Sequence, residues 1–137
     1  MVWWKRFAGL LLVLVSGLAL GAVELRPETT SVPVSGELQS LRDASGRLGM
    51  AEVLAQPATA WQRNTQGKFS HGYDAATWWL RFDVRRSNVN PDDDLLEIAY
   101  PVLDNVDVWV LQRGRVVSHY RMGDKMPFAD RPLDHRF

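Results

Sequence analysis

The sequence contains no cysteine in its 137 residues. That absence excludes a disulfide scaffold, a thiolate metal site and a cysteine nucleophile. There is no surplus of either charge, with 16 basic against 16 acidic side chains, whereas nucleic-acid binders carry a basic excess. His71, His119 and His135 lie far apart and form neither an H-x-x-H nor an H-E-x-x-H pair, so each reads as a satisfied or exposed histidine rather than a zinc ligand. No G-x-S-x-G nucleophile turn accompanies Asp134 and His135, and no phosphate loop or dinucleotide fingerprint is present. The sequence therefore gives no support for an enzyme, a metal or a cofactor. Its 46% hydrophobic, 10% aromatic and 23% charged content excludes a disordered or collagen-like chain. The length allows one domain at most.

The first 22 residues differ in kind from the rest. Lys5 and Arg6 precede an apolar run, Phe7 to Leu20, and the small residues Ala19, Gly21 and Ala22 follow at its exit. A basic start, a short apolar run and small residues at the exit are the three parts of a secretory signal peptide. Residues 1–22 are expected to be that leader, cleaved after Gly21 or Ala22. An uncleaved anchor is the competing reading, with Trp3 and Trp4 at the interface, although a spanning helix needs about 20 apolar residues. Loss of Lys5 and Arg6 with the leader leaves 115 residues carrying 14 basic and 16 acidic side chains, a formal −2. The expected product is a slightly acidic domain outside the cytoplasm, held by packing and sheet hydrogen bonds alone.

The mature part reads as all-β. Residues 23–36 form a connecting segment with Pro27 and Pro33, and the domain proper spans 37–137. Glu37 to Arg42 suits a first strand, with strong turn residues at 43–46. Met50 to Ala55 suits a helical turn or two, stopped by Pro57. Residues 61–73 read as a loop with an edge strand. Thr77 to Val84 alternates, with Trp78, Leu80, Phe82 and Val84 on the expected core face and Trp79, Arg81 and Asp83 opposite. Leu96, Ile98 and Tyr100 alternate against Leu95, Glu97 and Ala99. Val106, Val108 and Val110 alternate against Asp107, Trp109 and Leu111, and a turn at Arg113-Gly114 makes 106–120 a β-hairpin. Short antiparallel strands with one helical turn predict a β-sandwich. The sequence halts at Phe137 where another strand is due, so the last strands are expected to be missing or supplied from elsewhere, which leaves an open sheet edge.

Trp79, Arg81, Asp107 and Trp109 are the candidate ligand-binding residues. Indole faces among charged groups suit sugar rings, whose axial C–H groups stack while hydroxyls pair with the charges. The alternative is that these side chains pack beneath the N-terminal segment or form a second layer's core, with Arg81 in a structural ion pair. Asp92, Asp93 and Asp94 lack the alternating ligand pattern of a calcium loop and read as a solvated turn.

Three stretches carry a family likeness: GYDAATWWLRFDVR (72–85), LLEIAYPVLDNVDVWV (95–110) and GDKMPFADRPLDHRF (123–137), with LRDASGRLGMAEVLA (41–55) upstream. In order and spacing they resemble the extracytoplasmic sensor domain 7TMR-DISMED2 of bacterial seven-transmembrane receptors with diverse intracellular signalling modules. The resemblance implies a jelly-roll β-sandwich similar to carbohydrate-binding modules, following a signal peptide and preceding seven membrane helices and a cytoplasmic diguanylate cyclase or histidine kinase. It implies a role in binding a small-molecule or carbohydrate ligand and passing occupancy through the membrane. It carries no catalytic residue set. The helices and output module are absent from this sequence, so a receptor fragment is the first expectation. A free secreted carbohydrate-binding protein and a module that accepts a partner's strand are the alternatives.

Overall fold

Strands account for almost all regular structure in residues 21–87, 94–100 and 102–130, the parts of the chain that the computed structural model describes. The leader lies largely outside them, as do Asp92, Asp93, Asp134 and His135. The chain divides into two units, one ending at Pro91 and the other starting at Asp92.

In the first unit, β1 (Ala22–Leu25), β2 (Gln39–Asp43), β3 (Gln62–Arg63), β4 (Thr77–Arg81) and β5 (Asp83–Arg86) surround one short helix, α1 (Met50–Leu54). Strand β2 is central to an antiparallel sheet of order β3-β2-β4. The turn after β2 is set by Asp43, a buried carboxylate. It accepts hydrogen bonds from the Ser45 hydroxyl at 2.7 Å and from the backbone N–H groups of Ser45, Gly46 and Leu48 at 2.9–3.0 Å. The Ser45 hydroxyl contributes most to holding the Asp43 carboxyl below its usual range, with those N–H groups adding to it against the opposing effect of burial. Gly46, at φ 62°, takes the left-handed conformation the turn requires. This turn aims the chain into α1, so that Val53 and the following Trp61 reach back onto Leu41. Leu41, Val53 and Trp61 form the buried cluster, with Leu48, Ala60 and Trp79 packed against it.

The expected strand over 77–84 forms but breaks at Phe82. Its first half pairs with β2, Leu41 opposite Trp79, and its second half pairs in parallel with β1, Ala22 opposite Asp83. The face assignment is therefore inverted. Trp79 packs on the buried cluster, while Leu80 and Val84 are 46% and 50% exposed. Alternation with bulky residues at both parities, Trp78 and Trp79, marks a strand without saying which side is covered; the register with Leu41 decides it. A second correction concerns the connecting segment, whose first residues are strand β1, with Val23 buried. The parallel β1-β5 pair also departs from the otherwise antiparallel pattern.

In the second unit, β6 (Val106–Gln112) and β7 (Arg115–Met122) form the expected hairpin. Its turn has positive φ at both central residues, 51° at Arg113 and 75° at Gly114, as a type I′ turn demands. A bulge between Val110 and Leu111 shifts the register. Beyond β7, Gly123 presses on the Asp104 carbonyl, where any Cβ would clash. The alternation at 95–100 does not become a strand. No ladder partner reaches it among the described residues, and the Tyr100 N–H turns back to the Ile98 carbonyl at 2.8 Å.

Candidate functional site

The hairpin register sorts side chains into two faces. Val106, Val108, Val110, Tyr120 and Met122 share one; Asp107, Trp109, His119 and Arg121 share the other, as directly opposed pairs Asp107–Arg121 and Trp109–His119. On that second face the Trp109 and His119 rings lie parallel, 5° apart in tilt with centroids 4.6 Å apart. Asp107 Oδ1 contacts His119 Nε2 at 2.8 Å and Arg121 Nε at 3.3 Å. A flat aromatic pair is thus pinned at one end by a shared carboxylate. Asp107 and Trp109 were legible from alternation; His119 and Arg121 were not, because the bulge changes the parity with which β7 meets β6.

Trp79 and Arg81 stand on β4, in a different sheet from β6. Arg81 donates from Nε and a terminal nitrogen to Gln39 Oε1, at 2.9 and 2.7 Å, and its guanidinium lies 3.9 Å from the Trp61 ring centroid. Burial pulls its pKa below the usual arginine range, with Asp83 opposing. Trp79 and Arg81 therefore sit on the covered side of β4, against the expectation that they line its open side.

The open side of β4 carries a group the sequence reading did not single out. His71 stacks on Trp78 with centroids 3.7 Å apart and 6° of tilt, and Phe69 meets both rings edge-on. Asp74 braces this group: Arg42 donates two hydrogen bonds to it at 2.8 and 2.9 Å, and Trp78 Nε1 and the Ala76 N–H each donate one at 3.1 Å. The Arg42 guanidinium foremost, then the Ala76 N–H, hold the Asp74 carboxyl well below the usual carboxylate range. A depressed carboxyl contributes stability that is present above its unfolded pKa, about 3.9, and fades as pH falls towards the lower folded value. We expect Asp74→Asn to remove that acid-side loss, so that the gap in melting temperature between parent and variant is constant above about pH 4 and shrinks progressively as pH falls below it. Parallel curves from pH 6 to pH 2 would count against the brace. Phe69 and His71, two apart in a glycine-flanked loop, were the available signal.

No three His, Asp or Glu side chains converge as a metal site among the described residues. None of the helices described is long and apolar enough to cross a membrane. The family model described as 7TMR-DISM extracellular 2 matches residues 35–137. The chain belongs to this family. Its members are extracellular sensor domains of membrane receptors, which places the 7TMR-DISMED2 region of this chain outside the cell membrane. No curated protein matches the chain.

Proposed function

We propose that this 7TMR-DISMED2 domain is the non-catalytic, periplasmic ligand-sensing part of a bacterial signal-transduction receptor, and that the ligand is a carbohydrate held on the Asp107–Trp109 face of the hairpin. The family match carries the sensor role. One observation supports the ligand class: Trp109, stacked on His119, puts an aromatic surface on the same hairpin face as Asp107 and Arg121. A sugar ring stacks its C–H face on such a surface and gives its hydroxyls to the charged groups. Trp79 and Arg81 serve this reading as framework for the first unit. Signalling then requires the seven membrane helices and a diguanylate cyclase or histidine kinase, and the apolar strand faces described above take the remaining strands of a jelly roll. A leader over residues 1–22 delivers the domain.

Affinity electrophoresis through gels containing soluble polysaccharides tests the ligand face. Trp109→Ala removes a stacking surface and is expected to weaken retention about two- to tenfold, in line with an aromatic contribution of about 0.5–1.5 kcal/mol. Asp107→Asn is expected to weaken it less. No retention of the parent chain on any polysaccharide, or equal retention of Trp109→Ala, would sink the carbohydrate reading and leave the sensor role standing.

A further inference from the structure

Gly21, the residue before β1, lies against the Glu37 side chain so closely that a Cβ at position 21 would overlap its carboxylate. The carboxylate is not loose. Arg63 donates to Glu37 Oε2 at 3.0 Å, and Arg63 is fixed on β3 opposite Gln39 of β2. Strand β1 is fixed too, in parallel register with β5 and with Val23 buried. The peptide joining Gly21 to Ala22 is thus held beside a carboxylate by two separate sheets of the first unit. A glycine at this position answers a need for space.

The same residue stands at the exit of the expected leader. Cleavage after Gly21 places Ala19 and Gly21 at the two positions where the peptidase requires small side chains. It also converts the Ala22 amide nitrogen, two bonds from the Gly21 Cα, into an α-ammonium. Departure of Gly21 then opens the space against Glu37 that a larger group would have filled. A cleft of about 360 Å³, lined by Ala22, Glu24, Thr29, Pro33 and Glu37 among others, borders the spot.

We propose that the mature chain begins at Ala22 and that Glu37 receives its α-ammonium, an ion pair that clamps β1 once the leader is gone. The proposal rests on reading the N-terminal run as a cleaved leader, and of the two expected cleavage points, after Gly21 or Ala22, it selects the first. Asp83, the register partner of Ala22, is a second acid at the site, and Arg63 competes for Glu37. The pairing couples processing to folding: β1 forms with or without the leader, but its first residue gains the ion pair only after cleavage.

The full chain, exported in a bacterial host and recovered from the periplasm, tests both halves. N-terminal sequencing is expected to read Ala-Val-Glu-Leu. Pulsed labelling of the α-amine at dilute concentration, read by mass spectrometry across pH, is expected to show it titrating about one pH unit above the ordinary 7.7–8.0. Glu37→Gln is expected to return it to that range, and Arg63→Gln to raise it further by freeing the carboxylate. Both variants should keep the parent's near-ultraviolet dichroism. A retained leader or a different first residue overturns the site. An Ala22 terminus whose amine is ordinary and indifferent to both substitutions overturns the ion pair alone and leaves the leader intact.

Discussion

Trp61→Ala is expected to abolish cooperative folding of the first unit. Trp61 is buried in that unit's core cluster with Leu41 from β2 and Val53 from α1, and Trp79 from β4 packs against the same cluster. Removing a buried tryptophan costs about 3–5 kcal/mol, because the lost transfer energy is joined by a cavity that neighbours only partly fill. Among the described residues only Val23, Leu38, Leu41, Val53 and Trp61 are buried hydrophobics, so few neighbours remain to collapse inward. The substitution also strips Arg81 of the ring beneath its guanidinium, which leaves a partly buried charge with Gln39 and the nearby Asp83. Trp61→Phe separates packing from polarity. Trp61 Nε1 is buried with no hydrogen-bond partner among the described residues, so phenylalanine sheds an unpaired donor while keeping most of the volume, and a loss below about 1.5 kcal/mol is expected. Denaturant unfolding followed by far-ultraviolet dichroism reads both. A Trp61→Ala chain within about 1 kcal/mol of the parent would remove Trp61 from the centre of the core.

The first unit shows where alternation informs and where it stops. A period-two run located β4, and Asp43-Ala44-Ser45-Gly46 marked the turn after β2 because side-chain and left-handed backbone requirements are written in residue type. The covered face of β4 was not written there. Trp78 and Trp79 are equally bulky, and the choice between them is made by Leu41 across the ladder and by α1 folding over it, contacts that span some 40 residues of chain. The same holds for the hairpin: Arg113-Gly114 identified the turn, but the bulge after Val110 decides that His119, rather than a neighbour, faces Trp109. Strand β1 was missed because it pairs with β5 more than 50 residues later, a partner no local window contains. At 95–100 the pattern is that of a strand, yet a strand also needs a ladder, and none of the described strands supplies one.

That last mismatch leads to the second large effect. The alternation of Leu96, Ile98 and Tyr100 and of Val106, Val108 and Val110 is the sequence signature of faces meant to be covered, yet Tyr100 is 60% exposed and Val110 and Tyr120 are each 44% exposed. An isolated two-stranded hairpin is marginal in water, and three or more strands with a covered apolar face are needed for independent stability. At about 25 cal/mol per Å², covering a few such side chains is worth several kcal/mol, which is comparable with the whole stability of a small domain. The chain over residues 22–137 is therefore expected to keep a cooperative first unit while its second unit stays molten, binding 1-anilinonaphthalene-8-sulfonate strongly and self-associating as concentration rises. A longer chain that supplies further apolar strands should lower the dye signal about tenfold and sharpen the near-ultraviolet bands of Trp109 and Tyr120. Hydrogen exchange by mass spectrometry distinguishes the units, with fast exchange expected over β6 and β7 and slower exchange over β2 and β4. If residues 22–137 alone gave a monomeric, dye-silent domain with β6 and β7 as protected as β2, the apolar hairpin face would need no further layer, and the sandwich would have to be sought within the residues already present.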